Sequence, residues 1–366
     1  MRGPTRSRLA PKALGPRLRG DERRRRVPIL AALALGLTLS ACATPYVQPP
    51  MTPHAGFAGP AVENRFLVMD DGARLPFLRW APAQGEPWAV IVALHGMNDH
   101  DASFRLARPW WAEQGVETWA YDQRGFGQAP GRGRWAGEDR MTEDLRTAVA
   151  LARAAHPHAV IAVVGESMGG SVATAAFGSD RPPDADRVVL LAPGVWGWSS
   201  QGWLNSAALS VAARMAGGYA ATAPDFIARR IRASDNELEL IRNGRDPDSI
   251  LATRFDAVFG LVDLMETASR RLGDIRAPAI LMYGAQDQIV KPGPMKRALE
   301  RLPATATLRT AWYPDGWHLL NRDLQAEVVY RDVLAFLRAP DAPLPSGAEP
   351  VLPHLRDADR HKGKQP

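Results

Sequence analysis

A serine between two glycines lies where a strand-like pattern changes to a helical one. Residues 165–169 read Gly-Glu-Ser-Met-Gly; they follow an apolar run, 159–164, and precede a small-residue segment, 170–177, that reads as a helix. A serine in a sharp strand-to-helix turn needs small neighbours, because the turn leaves no room for their Cβ atoms. The helix N-terminus then offers free N–H groups and a positive dipole end, which suit a developing oxyanion. The pattern predicts a nucleophilic serine at Ser167.

Nucleophilic acyl transfer by a serine also needs a base for its proton and an acid that orients the base. On an α/β sheet the expected chain order is Ser, then Asp or Glu, then His, each in a loop after a strand. Asp287 follows an apolar strand-like run, and His318 follows the last such run, whereas the other seven histidines lie in tails, at the wrong edge or in another motif. We therefore predict the triad Ser167, His318 and Asp287. Asp315 stays open as an alternative acid, although three residues before His318 it has little room to reach Nδ1.

A second loop has the position expected for the first oxyanion donor. Residues 95–98, His-Gly-Met-Asn, end the strand-like run 88–94. A backbone donor is visible in a sequence only through its position, which here indicates the N–H groups of Met97 and of Met168, the residue after the serine. The alternative is an ordinary His-Gly turn with no part in the chemistry.

The elements that must position these residues alternate along the chain. Continuous apolar runs bounded by turn residues recur at 88–94, 116–121, 159–164, 188–191, 279–283 and 308–312, after a hairpin pattern at 64–69 and 75–80. Runs without polar alternation are typical of strands buried on both faces, and helical stripes lie between them. The predicted fold class is α/β, a doubly wound, mostly parallel sheet with right-handed crossovers.

The alternation stops for about ninety residues after the strand that follows Ser167. We therefore predict an α/β core over 63–195 and 272–338, with a helical cap inserted at 196–271 over the site. The cap should hold helices at 204–215, 225–232, 236–242 and 250–271. The segment 42–62 is rich in Pro, Thr and Ala and is predicted to be a flexible tether, and the tail 339–366 is predicted to be disordered.

The basic charge belongs to the start of the chain. The formal net charge is +6, but residues 1–41 hold ten Lys and Arg against Asp21 and Glu22, so the rest of the chain carries about −2. A basic surface for nucleic acid is therefore not expected. The hydrophobic content of 46% excludes disorder as the general state of the chain.

The apolar run 27–39 follows a cluster of four arginines and is too short for a comfortable membrane span, which is typical of a secretory signal. It ends Leu-Ser-Ala-Cys at residues 39–42 and resembles the lipobox of bacterial lipoproteins, in which the cysteine is acylated after cleavage before it. Cys42 is the only cysteine, so no internal disulfide can form. Ala43 in the next position favours the outer membrane over the inner one. The alternative is an ordinary cysteine beside a plain secretory cleavage site.

Several motifs together resemble one superfamily. They are His-Gly-x-x-x-His at 95–100, Asp-x-Arg-Gly-x-Gly at 122–127, Gly-Glu-Ser-Met-Gly at 165–169, Gly-Ala-Gln-Asp at 284–287 and Gly-Trp-His at 316–318. In this order they resemble the α/β-hydrolases, and within them the monoacylglycerol lipase and lysophospholipase-like serine hydrolases. Arg124 of the second motif is expected to form a structural ion pair.

The resemblance implies an esterase that acts on monoacylglycerols or lysophospholipids with water as second substrate, with neither a metal nor an organic cofactor. Two alternatives stay open. The same triad could cleave a peptide or another bond, because a fold does not determine the bond that is cleaved. The chain could also be an envelope lipoprotein that uses the fold as a binding scaffold. Its oligomeric state is not indicated by the sequence.

Overall fold

A nine-stranded sheet runs through the protein. The computed structural model describes residues 44–222 and 230–362, with side chains described as far as Asp357. The strands of the sheet, in chain order, are β1 (Ala61–Glu63), β2 (Phe66–Val68), β3 (Arg74–Trp80), β4 (Ala89–Leu94), β5 (Val116–Tyr121), β6 (Val160–Glu166), β7 (Arg187–Leu191), β10 (Ala279–Gly284) and β11 (Arg309–Tyr313); β8 (Ala220–Ala221) and β9 (Thr253–Arg254) pair with each other. Their spatial order in the sheet is β1-β2-β3-β5-β4-β6-β7-β10-β11.

The six strands from β5 to β11 in this spatial order are parallel, and β1, β2 and β3 join them as an antiparallel meander. The six apolar runs of the sequence are these six strands, each within one or two residues of its predicted bounds. Every residue of β4, β5 and β10 is buried, as expected when helices cover both faces of a parallel sheet. The predicted α/β class with a mostly parallel sheet is confirmed.

Helices cover the sheet on both faces. The described residues form the helices α1 (Ala107–Glu113), α2 (Glu138–Ala155), α3 (Met168–Phe177), α4 (Trp203–Ala216), α5 (Glu237–Arg245), α6 (Phe255–Arg271), α7 (Pro292–Glu300), α8 (Ala326–Arg338) and α9 (Val351–Lys362). Side chains of α2, α3, α6, α7 and α9 share one apolar core with one face of the strands, and those of α1 and α8 share a second core with the other face. Among the described residues, no helix combines the length and the apolar composition that crossing a bilayer requires.

The predicted cap contains helices, but its last predicted helix joins the core. Helices α4 and α5 correspond to the patterns at 204–215 and 236–242, whereas residues 223–229 of the predicted helix 225–232 lie outside the described residues. Helix α6 belongs to the core layer, because its Leu264 is fully buried in the core that it shares with α3. The sequence predicted a helix here. Whether that helix lies in the cap or in the core depends on which element covers its apolar side chains, and this cannot be read from the helix itself.

The predicted flexible tether is bound to the core over its described part. The backbone N–H of Gln48 donates to the Trp135 carbonyl at 2.8 Å, and that of Met51 donates to Asp71 Oδ2 at 2.8 Å. Strand β1 begins at Ala61, inside the segment assigned to the tether. The expectation of flexibility is wrong for 45–62, because a segment without periodicity can still be held by hydrogen bonds to distant residues.

The tail after α8 is ordered as far as the structure describes it, so the prediction of disorder over 339–366 is wrong for 340–357. Helix α9 places Val351 and Leu355 in the core with exposed fractions of 0% and 2%, and Trp312 of β11 donates its backbone N–H to the Glu349 carbonyl at 2.8 Å. Two apolar side chains one helical turn apart are sufficient for this docking, although they give too short a pattern to recognise in a sequence.

Candidate active site

Ser167 lies at the turn between β6 and α3 with a backbone conformation that few residues other than glycine adopt. Its φ and ψ are 53° and −114°, and its N–H donates to the Leu191 carbonyl of the neighbouring strand at 2.9 Å. The helix packs so closely on the sheet that a Cβ at Gly169 would lie 2.3 Å from the Leu94 carbonyl oxygen. The strain at Ser167 is held by this surrounding packing, as is usual at functional sites. The predicted strand-turn-helix is present.

His318 and Asp287 are joined by a direct hydrogen bond. The His318 Nδ1 and Asp287 Oδ2 atoms are 2.9 Å apart, and both residues are buried. The other carboxylate oxygen, Oδ1, accepts the N–H groups of Ile289 at 2.8 Å and Val290 at 2.9 Å. Asp287 is therefore held on both oxygens, in the position of a group that orients the imidazole ring.

The two loops that carry these residues support each other. Gln286 donates its backbone N–H to the Gly316 carbonyl at 2.9 Å, and a Cβ at Gly284 would lie 2.3 Å from the same oxygen. Asp315, the alternative acid of the sequence analysis, has an exposed side chain and makes no described contact with His318. The geometry therefore favours Asp287 as the partner of His318.

Ser167 and His318 lie at the same edge of the sheet, since β6, β7, β10 and β11 are consecutive and parallel and each residue follows the carboxyl end of its strand. Among the hydrogen bonds of the described residues, none joins the Ser167 hydroxyl to His318. Hydrogen bonds of this kind are often long without substrate and shorten when the substrate binds.

Both predicted oxyanion donors lie next to Ser167. Met168 is the first residue of α3, where an N–H group has no partner within the helix. Within residues 44–222 and 230–362, the N–H of Met97 donates to no described acceptor. Its neighbour Gly96 is in van der Waals range of the serine, because a Cβ there would lie 3.3 Å from Ser167 Cβ. Two N–H groups are thus available beside the serine.

The loop after β4 is held by a buried histidine and by the cap. His95 Nε2 accepts the backbone N–H of Gln123 at 2.9 Å, and burial lowers the pKa of His95 to about 4, so the ring is neutral and structural. Asn98 bonds to the cap twice: its carbonyl accepts the Ile250 N–H at 2.9 Å, and its side chain donates to Thr253 Oγ1 at 2.7 Å. The cap therefore contacts the residue that directly follows Met97.

A buried arginine joins three parts of the site and was not found by sequence reasoning. Arg322 is fully buried four residues after His318, and it contacts Glu166 Oε1 at 2.5 Å and Asp99 Oδ2 at 2.8 Å. Glu166 precedes the serine, and Asp99 lies two residues after Met97. The one signal of Arg322 in the sequence is its position four residues after His318, and this signal is too weak to identify the residue.

The charges around His318 favour its protonated form. Burial alone lowers the pKa of His318, but the charge and hydrogen bond of Asp287, together with the charge of Glu166, outweigh burial and raise it. Arg322 acts in the opposite direction. Asp287 thus stabilises the imidazolium that forms when the histidine takes a proton from the serine.

Among the described residues, two clusters of carboxylate and histidine groups have donor atoms within 4.8 Å of one another, and each contains or binds a cationic side chain. The cluster of Asp70, Asp71 and Asp144 is paired with Arg124 and Arg140. In the cluster of His100, Asp101 and Asp122, burial lowers the pKa of His100, but Asp101 and Asp246 outweigh burial and raise it to about 9. A protonated histidine is a poor metal ligand. Cys42, the predicted lipidation site, lies outside the described residues.

The sheet, the strained serine between a strand and a helix, and the paired His and Asp in later loops define the protein as an α/β-hydrolase. Residues 85–325 match the model of one family, described as serine aminopeptidase, S33. This match covers more than half of the chain, and the protein belongs to that family.

Individual relatives carry lipase names. The chain is 24% identical over 278 residues to a monoacylglycerol lipase of Mycolicibacterium smegmatis, covering 73% of this chain and 93% of that protein. It is 23% identical over 265 residues to a monoglyceride lipase of Rattus norvegicus, covering 70% of this chain and 84% of that protein.

Solved structures share the fold. One is a soluble variant of a monoglyceride lipase from Saccharomyces cerevisiae in complex with a substrate analog, with a TM-score of 0.62 and 18% identity over 80% of this chain and all of the other. Another is a Paleococcus ferrophilus monoacylglycerol lipase, with a TM-score of 0.59 and 19% identity over 73% of this chain and 99% of that one. At this level of identity the likeness concerns the fold alone.

Proposed function

We propose that this protein is a serine esterase that hydrolyses monoacylglycerols or lysophospholipids through an acyl-enzyme. The observation that carries the proposal is the 2.9 Å hydrogen bond between His318 and Asp287 at the sheet edge that also presents Ser167 in a strained turn. A buried His with an oriented carboxylate and an adjacent serine is the arrangement that nucleophilic acyl transfer requires.

In the proposed reaction Ser167 Oγ attacks the ester carbonyl carbon while His318 takes the hydroxyl proton. Asp287 keeps the Nδ1 proton directed at itself, so that Nε2 of His318 is the free base. The N–H groups of Met97 and Met168 hold the carbonyl oxygen as it becomes negative, at about 3 kcal/mol for each donor. His318 returns its proton to the departing alcohol, and water then releases the fatty acid by the same steps.

The substrate class rests on the relatives and on the expected anchor. Relatives named monoacylglycerol lipase and monoglyceride lipase align over most of this chain. Lipidation at Cys42, with Ala43 after it, would hold the protein in the cell envelope, with the outer membrane favoured, where esters with one acyl chain occur at the bilayer surface. The anchor is tested by the mass of the purified mature protein, which should begin at an acylated Cys42.

The family description makes an aminopeptidase the second candidate. Such an enzyme needs a free carboxylate for the substrate ammonium group. Glu166 in the serine turn and Asp99 in the loop after β4 are already paired with Arg322. Among the described residues this pairing favours a neutral substrate, and hence an ester, over an amino-terminal amine.

The test is labelling of the protein with a fluorophosphonate, followed by intact-mass analysis and by hydrolysis assays. We expect one adduct, its loss in Ser167→Ala without loss of thermal stability, and faster hydrolysis of a monoacylglycerol than of an aminoacyl anilide. A preference for the anilide would replace the esterase with the peptidase. A folded protein that takes up no adduct and hydrolyses neither substrate would support the binding scaffold instead.

A further inference from the structure

The segment before β1 is bound to the core close to the start of the described chain. Gln48 donates its backbone N–H to the Trp135 carbonyl at 2.8 Å and its side-chain Nε2 to the Arg134 carbonyl at 2.6 Å. The side chain of Gln48 fills the space above Gly131, where a Cβ would lie 1.9 Å from Gln48 Oε1. We define residues 45–51 as the arm. The arm is held at several points along its length.

A bound arm leaves very little free chain between the core and Cys42. Only Ala43 and Thr44 separate Cys42 from Pro45, so the Cα atoms of Cys42 and Pro45 can be at most about 11 Å apart. A free linker of about twenty residues would instead allow an average separation of about 25 Å. If Cys42 is acylated, as the proposed function holds, the part of the core beside Pro45 must lie close to the bilayer.

Helix α4 exposes an apolar face to solvent. The exposed fractions are 76% for Trp203, 63% for Leu204, 44% for Val211 and 59% for Met215, and the last three lie on one side of the helix by their spacing of seven and four. Arg214 is the single charged residue of this helix. A contiguous face of large apolar side chains without charges is unusual on a soluble protein and indicates contact with another apolar phase.

The arm and α4 are neighbours on the same part of the surface. The Arg254 guanidinium lies 5.7 Å from the ring centre of Tyr46 in the arm, and the Arg214 guanidinium of α4 lies 5.3 Å from the ring centre of Phe259. Phe259 lines the same cavity of about 760 Å³ as Tyr46 and the adjacent Pro45. The segment after α4 continues the connection, since Phe255 donates its N–H to the Tyr219 carbonyl at 3.2 Å.

We propose that the exposed face of α4, formed by Leu204, Val211 and Met215 with Trp203 beside it at the start of the helix, docks into the phospholipid bilayer and that the arm directs this face toward the membrane. The partner is a lipid surface, because only Ala43 and Thr44 separate the arm from Cys42, the proposed acylation site. An acylated Cys42 would therefore hold the arm, and α4 beside it, close to the bilayer. Residues 42–366 carry a net charge of about −2, so apolar side chains and not basic ones supply the contact with the bilayer. Docking should therefore be insensitive to salt.

The first experiment measures the depth of single labelled positions in the mature lipoprotein, reconstituted in phosphatidylcholine vesicles. Acylation occupies the thiol of Cys42, so one introduced cysteine carries the environment-sensitive fluorophore. Leu204→Cys and Val211→Cys report on α4. Val328→Cys is the matched control, because it lies on α8 at the other face of the sheet with 38% exposure against 44% for Val211.

We expect a blue shift and strong quenching by a lipid-borne quencher at residues 204 and 211, unchanged in high salt, and neither effect at residue 328. Equal signals at residues 211 and 328 in vesicle-bound protein would overturn the proposal. A quenching signal that disappears in high salt would overturn it as well, because it would show that charge holds the protein at the surface.

A second variant tests the arm by lengthening the linker between Cys42 and the arm. A Gly-Ser insertion of about twenty residues between Thr44 and Pro45 should lower the quenching at residue 204 severalfold while leaving the hydrolysis of a water-soluble ester unchanged. Unchanged quenching would show that the arm does not direct the face and would remove that part of the proposal.

Failure of the proposed anchor is distinguishable from failure of the docking face. If mass analysis finds no acyl chains on Cys42, the labelled protein is added to vesicles from solution in a Cys42→Ser background. Quenching at residues 204 and 211 then supports the docking face without the anchor, and its absence overturns the docking face.

Discussion

Two buried arginines, Arg322 and Arg124, each bind two carboxylates, and they differ in how completely they are satisfied. Arg124 makes four hydrogen bonds of 2.7 to 3.0 Å, two to Asp71 and two to Asp144. Arg322 is paired with Glu166 and Asp99, but its Nε atom and Glu166 Oε2 have no hydrogen-bond partner among the described residues. The cluster around Arg124 has the fully hydrogen-bonded geometry of a structural ion pair, whereas the cluster around Arg322 retains unsatisfied polar atoms beside the site.

The two clusters also join different parts of the chain. Asp71 lies in the β2–β3 turn and Asp144 in α2, so Arg124 holds the edge of the sheet to a helix. Arg322 holds the serine turn and the loop that carries Met97 to the segment after His318. Burial outweighs Arg322 at Glu166 and raises the pKa of that carboxyl, whereas at Asp99 the charge of Arg322 outweighs burial and lowers it. We therefore expect the Arg124 cluster to stabilise the fold and the Arg322 cluster to position the reacting groups.

The largest expected effect lies on the catalytic side of this comparison. Asp287→Asn should lower kcat about 10⁴-fold because the ring of His318 loses its orientation, while the melting temperature changes little. Asp287 raises the pKa of His318, and activity is lost as pH falls through that pKa, so the acid limb of kcat/KM should move to lower pH in the variant. The pH profile of monoacylglycerol hydrolysis measures both. Asp315→Asn is the matched control, and a comparable loss there would contradict the assignment of Asp287.

The next effect concerns stability. Arg124→Gln leaves Asp71 and Asp144 buried without their common cation, and we expect the free energy of unfolding to fall by about 3 to 5 kcal/mol. Denaturant unfolding measures the change. The folded fraction of this variant should keep its kcat within about threefold, since the side-chain hydrogen bonds of Arg124 to described residues go to Asp71 and Asp144, outside the site. A large loss of kcat in the folded enzyme would remove the distinction between the two clusters.

A smaller effect, on catalysis rather than on stability, is expected for Arg322→Lys. Lysine keeps the charge but cannot hold Glu166 and Asp99 together in one plane. We expect kcat/KM to fall about 10²-fold through misplacement of the serine and the oxyanion donors. The loss should fall mainly on kcat, with KM nearly unchanged. Steady-state kinetics beside Arg124→Lys makes the comparison direct, and equal losses in the two variants would show that both arginines act through stability alone.

The smallest effect concerns the pH dependence of stability at the His318 loop. Asp323 accepts the Trp317 N–H at 2.7 Å and the Ser234 hydroxyl at 2.6 Å, and burial, with the charges of Asp235 and Glu166, raises its pKa to about 7. A raised carboxyl pKa stabilises the folded state at low pH, and this stability is lost as pH rises toward 7. Asp323→Asn should flatten that slope between about pH 4 and pH 7. Thermal unfolding across this range measures it, and an unchanged slope would exclude Asp323 as its source.

The core strands and the proposed triad were predictable because their signals are local. A strand covered on both faces must be apolar throughout, and a sharp turn before a helix must have glycines, so β4 to β7, β10 and the serine turn are visible in short windows of sequence. Asp287 and His318 were predictable one step further, because parallel strands place their carboxyl ends at one edge. The 2.9 Å contact between these two side chains agrees with that expectation.

The missed features depend on partners far away in the sequence. The arm was predicted to be flexible, yet Gln48 bonds to the Arg134 carbonyl 86 residues away. The tail was predicted to be disordered, yet Val351 and Leu355 are buried against the core. Helix α6 was assigned to the cap, although it lies in the core layer beside α3. In each case the position of the segment depends on a surface that other elements form.

The sequence by itself determined the α/β class, the strands of the sheet and the residue types at the serine turn, because chain geometry and burial restrict which residues those positions accept. Only the tertiary structure decided which buried carboxylates share Arg322, where the arm binds and which helix presents an exposed apolar face. Those outcomes depend on distances between elements, and such distances arise only when the whole sheet and both helical layers are assembled.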